Sequence, residues 1–119
     1  MNIGIDIVEV KRIKKLIKNP KFINKVFSKE EIDYCEGFKN KDERYSGKFA
    51  AKEAFIKALK SSDNKKICGL INKISLKDIK IINKENGMPF VFVKGLKIKG
   101  KLSVSHTASY ACAVFVWED

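Results

Sequence analysis

The chain has 119 residues, 45% of them hydrophobic, which is enough apolar material for the core of one domain spanning residues 1–119. The 25 Lys and Arg residues against 14 Asp and Glu residues give a formal net charge of +11, which predicts an anionic partner. No apolar run approaches the ~18 residues of a membrane span, and the start of the chain has no basic region like that of a signal peptide. We therefore expect a cytoplasmic protein, and the scattered spacing of its three cysteines argues against a zinc site.

The first predicted elements are a strand and a helix. Residues 2–8 form an apolar run typical of a buried strand, in which Asp6 is costly to bury unless it is paired or bound to a metal. Residues 9–18 have apolar side chains at helical spacing with lysines on the opposite face, which predicts an amphipathic helix. The dipeptide formed by Asn19 and Pro20 is expected to end this helix.

Two further helices are predicted in the first half of the chain. The sequence Ser-Lys-Glu-Glu at residues 28–31 is a capping box, which predicts a helix beginning near residue 29 and ended by Gly37. Residues 41–60 are rich in strong helix formers and predict the longest helix of the chain.

The second half of the chain predicts mainly strands. Residues 61–73 look like a loop, and Asn86 with Gly87 forms a turn motif. One strand, then helices, then several strands is the order of an α+β domain, so we expect a mostly antiparallel sheet packed on the long helix. The strands of this second half are predicted at residues 75–84, 90–93, 102–106 and 110–117.

Three polar features interrupt these apolar elements. They are Asp6, the pair of Glu53 and Lys57 four residues apart on one helix face, and the sequence Ser-Val-Ser-His-Thr at residues 103–107. Each also has an ordinary structural explanation, because a Glu–Lys pair at this spacing is usually solvated and a single histidine is more often structural than catalytic. None of the three by itself identifies an enzyme.

Together, these features resemble one family. GIDIVE at residues 4–9, FAAKEAFIKAL at residues 49–59 and SVSH at residues 103–106 resemble the holo-[acyl-carrier-protein] synthases, the short 4′-phosphopantetheinyl transferases of bacterial fatty-acid biosynthesis. NGMP at residues 86–89 is similar to the Asn-Gly-x-Pro turn of that family. The resemblance covers essentially the whole chain. It implies the 4′-phosphopantetheinyl transferase fold and transfer of the phosphopantetheine arm of coenzyme A to a serine of apo-acyl carrier protein, leaving adenosine 3′,5′-bisphosphate.

The resemblance implies a Mg²⁺ site and a catalytic lysine. Asp6 and Glu53 match the two metal-ligand positions of the family, and Mg²⁺ prefers such hard oxygen ligands. Lys57 matches a lysine near the reacting phosphates, where it would stabilise the transition state and offer a proton to the leaving group. The general base stays open between Asp6, Glu53 and a metal-bound water.

The resemblance also implies the contacts to coenzyme A. Lys48 stands where the family often has an arginine, and Arg44 lies one helical turn earlier. The NGMP turn would lie against the nucleotide. The polar residues at the end of the strand predicted at residues 102–106 would contact phosphates. The predicted contacts are Arg44, Lys48, Asn86, Gly87, Pro89, Ser105, His106 and Thr107.

Two kinds of protein partner follow from the resemblance. Acyl carrier proteins are acidic, so the basic helix is expected to bind one through Arg12, which matches a family contact position, with Lys11, Lys15 and Lys18 as weaker candidates. Members of the family form homotrimers with active sites at subunit boundaries, and the apolar residues 90–93 and 111–117 offer surface for such a contact.

Two alternatives compete with this interpretation. A small RNA- or DNA-binding module would explain the positive charge, but it leaves Asp6 and Glu53 without a role, and only two of the 25 basic residues are arginines. A noncatalytic family member is disfavoured because Lys57 is retained with both carboxylates. We therefore expect neither a nucleic-acid partner nor membrane association.

Overall fold

The computed structural model of the chain describes residues 1–118. Its helices are α1 (Val10–Leu16), α2 (Pro20–Val26), α3 (Lys29–Glu36), α4 (Lys41–Lys60) and α5 (Lys65–Gly69), with 3₁₀ turns at Leu70–Lys73 and Leu76–Asp78. Its strands are β1 (Asn2–Glu9), β2 (Ile79–Asn83), β3 (Pro89–Val93), β4 (Leu96–Lys97), β5 (Lys101–His106) and β6 (Tyr110–Trp117). Within this part of the chain, none of the helices has the length and apolar character needed to span a bilayer.

The strands divide into two three-stranded sheets, whereas the sequence analysis expected one. The first sheet has the order β1-β6-β5 and the second has the order β2-β3-β4. Each pairing among the described strands is antiparallel, and β6 pairs with β1 along its whole length, from Asn2 opposite Trp117 to Glu9 opposite Tyr110. The α+β class and the antiparallel pairing are therefore confirmed.

Helix α4 packs on the inner face of the first sheet, against β1 and β6. A Cβ atom at Gly4 would lie 1.9 Å from the carbonyl oxygen of Ala54 and 2.5 Å from the amide nitrogen of Ala58, so only glycine lets β1 come this close to the helix. Side chains alternate along a strand, which puts Asp6 on the same face as Gly4. The close approach at Gly4 therefore brings a carboxylate to α4.

The outer face of the first sheet is apolar and uncovered. The side chains of Ile3, Ile5 and Ile7 are 55%, 64% and 66% exposed. Cys112 pairs with Ile7 on this face and is half-buried, whereas its neighbour Ala113 points inward and is buried. Although Cys112 stands in an apolar run, it is not a core residue, because strand alternation gives the inward positions to the flanking alanines.

The predicted bounds of α3 and α4 are correct and α1 is shorter than predicted, but the sequence did not predict the two short helices α2 and α5. Asn19 and Pro20 end α1 and also begin α2, since the Asn19 side chain accepts a hydrogen bond of 2.9 Å from the first turn of α2. Residues 61–73, predicted as a loop, contain α5, where Asn64 plays the same capping role. The five residues of α5 are too few to show an apolar period.

A buried ion pair fixes the second sheet to the helices. Lys52 Nζ lies 2.7 Å from Glu31 Oε1 and donates to the carbonyl oxygens of Leu76 and Ile79. Glu31 Oε2 accepts a hydrogen bond of 2.8 Å from the amide of Ile81. Because β2 is an edge strand, these side chains satisfy backbone groups that have no neighbouring strand to pair with.

Candidate active site

Asp6, Glu53 and Lys57 come together where β1 crosses α4. Lys57 Nζ lies 3.1 Å from Asp6 Oδ1, and the side chain of Asp6 is only 16% exposed. The spacing of Glu53 and Lys57 had favoured an ordinary pair along the helix. The lysine instead contacts the strand, and this contact brings together residues that are 51 positions apart.

The environment of Glu53 is that of a carboxylate beside a second carboxylate. Partial burial, and after it the negative charge of Asp6, raise the pKa of Glu53, while the cations of Lys57, Lys60 and Arg12 act in the opposite direction. Two acidic groups that repel each other at a partly buried position favour a bound cation. Helix α1 packs against α4, which brings the charge of Arg12 near enough to act on Glu53.

The two carboxylates fit a Mg²⁺ ion whose other ligands come from elsewhere. Both offer hard oxygens, and residues 1–118 hold no cluster of three or more His, Cys, Asp or Glu side chains that could bind a metal. Mg²⁺ commonly binds through one or two carboxylates together with substrate phosphates and waters. Two protein carboxylates could therefore hold such an ion only together with oxygens from a substrate or water, unlike the four protein ligands of a structural zinc site.

A cleft lies between the first half of α4, the second sheet and β5. Five of the predicted coenzyme A contacts line it, and they come from three separate stretches of chain: Arg44, Lys48, Gly87, Pro89 and His106. Gly87 has a φ of 87°, a left-handed conformation that glycine adopts without strain in the turn between β2 and β3.

Lys48 connects the two walls of this cleft. Its ammonium group donates to the carbonyl oxygen of Ile81 at 2.6 Å and to Asn83 Oδ1 at 2.7 Å, and it lies 4.4 Å from the ring centre of Tyr34. Burial lowers the pKa of Lys48 to about 8. Two of its three N–H donors are thus engaged with β2, one at Ile81 and one at Asn83, the last residue of the strand.

His106 and Arg44 are each held by a neighbour. His106 Nδ1 lies 2.9 Å from Glu43 Oε1, which links β5 to the first turn of α4. The guanidinium group of Arg44 lies 4.0 Å above the ring of Phe38, a cation–π contact that keeps the charge at the cleft. Both side chains are therefore oriented by contacts within the chain.

Three predicted contacts lie outside the lining of this cleft. Asn86 and Thr107 accept hydrogen bonds from backbone amides of their own turns, and these turns carry Gly87 and His106. Ser105 is exposed on the outer face of β5. Asn86 and Thr107 thus shape the site, whereas Ser105 belongs to the uncovered face of the first sheet.

Sequence reasoning missed six other residues that line the cleft, and the three with polar side chains are Tyr34, Glu43 and Asn83. Each lies in a predicted element, but no motif marks it. Asn83 reaches Lys48 only through the register of β2, in which it pairs with Pro89.

The basic residues proposed to bind a partner lie on and after α1. Lys11, Arg12 and Lys15 are exposed on this helix, and Lys18 is exposed just beyond its end. The helix ends at Leu16, two residues earlier than the predicted bound, because Asn19 and Pro20 already begin the next helix. Of this surface, Arg12 is near enough for its charge to act on Glu53.

Comparison with known proteins shows the family of this chain. The chain matches the model of the 4′-phosphopantetheinyl transferase superfamily over residues 2–115. The chain belongs to this superfamily. It is 40% identical to the holo-[acyl-carrier-protein] synthase of Geobacillus sp. (strain WCH70), covering 99% of this chain and 96% of that protein. It is 39% identical to the synthase of Thermodesulfovibrio yellowstonii, covering 96% of this chain and 95% of that protein.

Solved structures of the same name share the fold. The holo-(acyl-carrier-protein) synthase of Bacillus anthracis, in complex with CoA (3′,5′-ADP), superposes with a TM-score of 0.78 at 32% identity, covering 97% of this chain and 93% of that one. The Helicobacter pylori synthase in complex with coenzyme A gives a TM-score of 0.76 at 33% identity, covering 96% and 97%. The predicted family and its fold are therefore confirmed.

Proposed function

We propose that this chain is a Mg²⁺-dependent holo-[acyl-carrier-protein] synthase of fatty-acid biosynthesis. It transfers the 4′-phosphopantetheine group of coenzyme A to a serine of an apo-acyl carrier protein. The proposal rests on the meeting of Asp6, Glu53 and Lys57 in a chain related over its whole length to synthases of this name. We place the reaction in the cytoplasm, where its free cysteines are kept reduced.

The reaction exchanges the phosphoanhydride bond of coenzyme A for a phosphate ester bond to serine, and the proton of the serine hydroxyl passes to a general base. The serine oxygen forms a bond to the phosphorus that carries the pantetheine, and the bond from this phosphorus to the oxygen of the adenosine phosphate breaks. Adenosine 3′,5′-bisphosphate leaves with the electron pair of that bond. Lys57 Nζ, which is half-exposed next to Asp6, can move to the phosphates, where its charge stabilises the transition state and its N–H offers a proton to the leaving oxygen.

Asp6 and Glu53 would hold the Mg²⁺ ion in this proposal. When bound, the ion neutralises charge on the diphosphate oxygens. The support is the hard-oxygen donor set and the raised pKa of Glu53, which reflects its burial next to Asp6.

The cleft beside α4 is the proposed site for the nucleotide of coenzyme A. Arg44, Lys48 and His106 supply positive charge and N–H groups, and Gly87 leaves room for a close backbone approach. Related synthases form complexes with coenzyme A, which supports coenzyme A as the ligand of this chain. The contacts proposed within one chain are Arg44, Lys48, Asn86, Gly87, Pro89, His106 and Thr107, whereas Ser105, on the outer face of β5, would contact the coenzyme A of a neighbouring subunit.

The proposed docking surface for the acidic carrier protein is the basic face formed by Lys11, Arg12, Lys15 and Lys18. Its position supports this role, since the charge of Arg12 acts on Glu53. A carrier bound to α1 would therefore present its serine near the proposed metal ligands.

We also propose that the chain forms a homotrimer. The support is the uncovered row of Ile3, Ile5 and Ile7, because a stable monomer seldom leaves three large aliphatic side chains adjacent and more than half exposed. Residues 90–93 and 111–117, expected from the sequence to offer this surface, are less suited to it because Val91 and Phe115 are buried within the chain. Ser105 shares the outer face with Ile7, so a neighbouring subunit would bring its site to this serine.

The test is the mass of an apo-acyl carrier protein after incubation with the chain, coenzyme A and Mg²⁺. The carrier should gain the mass of one phosphopantetheine, and chelation of the metal should prevent the gain. Asp6→Asn and Glu53→Gln should nearly abolish transfer with unchanged circular dichroism, whereas the exposed control Asp63→Asn should behave like the wild type. If the wild type adds no such mass to any carrier tried, the proposal is wrong.

A further inference from the structure

A second cavity, distinct from the cleft, lies between α4, the segment after it and the second sheet. Its volume of ≈ 340 Å³ falls within the range of small-molecule sites, and it shares no lining residue with the cleft. Phe55 and Leu59 of α4 line it, with Trp117 of β6. Two further lining residues, Leu70 and Leu96, are 46% and 72% exposed, so apolar side chains face water at its edge.

The charged groups that line this cavity are both lysines, Lys73 and Lys94. Lys94 also lines an adjacent surface groove, so it connects an apolar cavity to a basic surface. The groove adds three more lysines: Lys29, Lys77 and Lys80.

The acidic side chains of the groove already have partners. Glu30 is paired with Lys80 at 3.3 Å. Asp78 accepts hydrogen bonds from the amide and the hydroxyl of Ser75, although the charge of Lys94 also acts on it. Since four lysines face these two carboxylates, the mouth of the cavity has a positive excess.

The backbone places Lys94 at this mouth. Lys94 and Gly95 form the two-residue turn between β3 and β4, with φ values of 50° and 83°. Two-residue turns with positive φ favour Asn or Gly at both positions. Lys94 therefore has a backbone conformation that lysine seldom adopts. The same turn carries Leu96 at the edge of the cavity.

We propose that this cavity binds a straight aliphatic carboxylate. The hydrocarbon chain would lie against Phe55, Leu59 and Trp117, and the carboxylate would pair with Lys94. Several elements line the cavity, and this shape suits a narrow hydrocarbon chain. A folded protein partner would need a flatter surface. The proposal does not rest on the proposed function, because the two sites share no residue.

The emission of Trp117 tests this inference, because it is the chain's single tryptophan and it lines the cavity. Dodecanoate, titrated below the concentration at which it forms micelles, should shift the emission to shorter wavelength and reach saturation. Lys94→Asn removes the charge with a residue that accepts the left-handed conformation, and it should weaken binding about fivefold. The matched control Lys25→Gln, on α2, should bind as the wild type does, and circular dichroism should be unchanged in both variants.

Four results would overturn the inference. The first is an absence of saturable shift in the wild type, and the second is equal binding by Lys94→Asn and the wild type. The third is binding of uncharged dodecanol as tight as that of dodecanoate, since the lysine would then have no role. The fourth is displacement of dodecanoate by excess coenzyme A, which would make the cavity part of the coenzyme site. Because the readout is binding, its failure and a failure of transferase activity are distinguishable.

Discussion

Replacement of Gly4 by alanine should separate β1 from α4 and disrupt the proposed site. The new Cβ atom would lie 1.9 Å from the carbonyl oxygen of Ala54, where an ordinary contact is 3.4 Å or more. It would also lie 2.5 Å from the amide nitrogen of Ala58. Both obstacles are backbone atoms of one helix, so the conflict cannot be relieved by turning a side chain.

The strand and the helix must therefore move apart by roughly 1.5 Å. Overpacking of this kind costs about 3 kcal/mol, the upper part of the usual range, because neither neighbour can yield. At fixed protein concentration, the urea midpoint of unfolding should fall by about 2 M. Transfer activity should also fall in the folded fraction, since Asp6 lies two residues from the clash and would move away from Lys57.

Gly69→Ala is the matched control. No atom lies within 4 Å of a Cβ at Gly69, and its φ of −66° suits any residue, so alanine there should stabilise the chain by about 0.5–1 kcal/mol. Urea unfolding followed by far-ultraviolet circular dichroism measures both variants. An unchanged midpoint in Gly4→Ala would refute the argument that glycine is required where β1 meets α4.

Three further predictions concern single charged residues. Lys57→Ala should lower the single-turnover transfer rate more than it weakens coenzyme A binding; a change in binding alone would make it only a binding residue. Arg12→Glu should raise the Michaelis constant for the carrier protein and make this constant less dependent on salt, while coenzyme A binding stays unchanged. The control Lys14→Glu makes the same charge change on α1 and should have a smaller effect. Burial lowers the pKa of Lys48 from 10.5 to about 8. Between about pH 8 and pH 10.5 the unfolded chain therefore binds more protons at Lys48 than the folded chain does, so the free energy of unfolding should rise with pH in this range. Lys48→Met should flatten this rise in urea titrations; an equal slope in both proteins would contradict it.

The sequence by itself determined the elements whose cause is local. The bounds of α4 follow from its helix formers, and the start of α3 follows from a capping box in which Ser28 and Glu31 exchange hydrogen bonds. The pairing of β5 with β6 follows from two apolar runs joined by a short turn. The grouping of Asp6, Glu53 and Lys57 came from resemblance to a family, because spacing alone does not bring a strand to a helix about 50 residues later.

Only the tertiary structure decided which distant groups meet. Lys57 contacts Asp6 because a glycine allows β1 to touch α4, and this contact is not encoded in the pattern of either element. Lys48 joins the walls of the cleft because β2 is an edge strand, and its Ile81 carbonyl takes a side-chain donor in place of a neighbouring strand. Local rules describe preferences over a few residues, whereas these contacts depend on sheet register and on how closely two backbones approach.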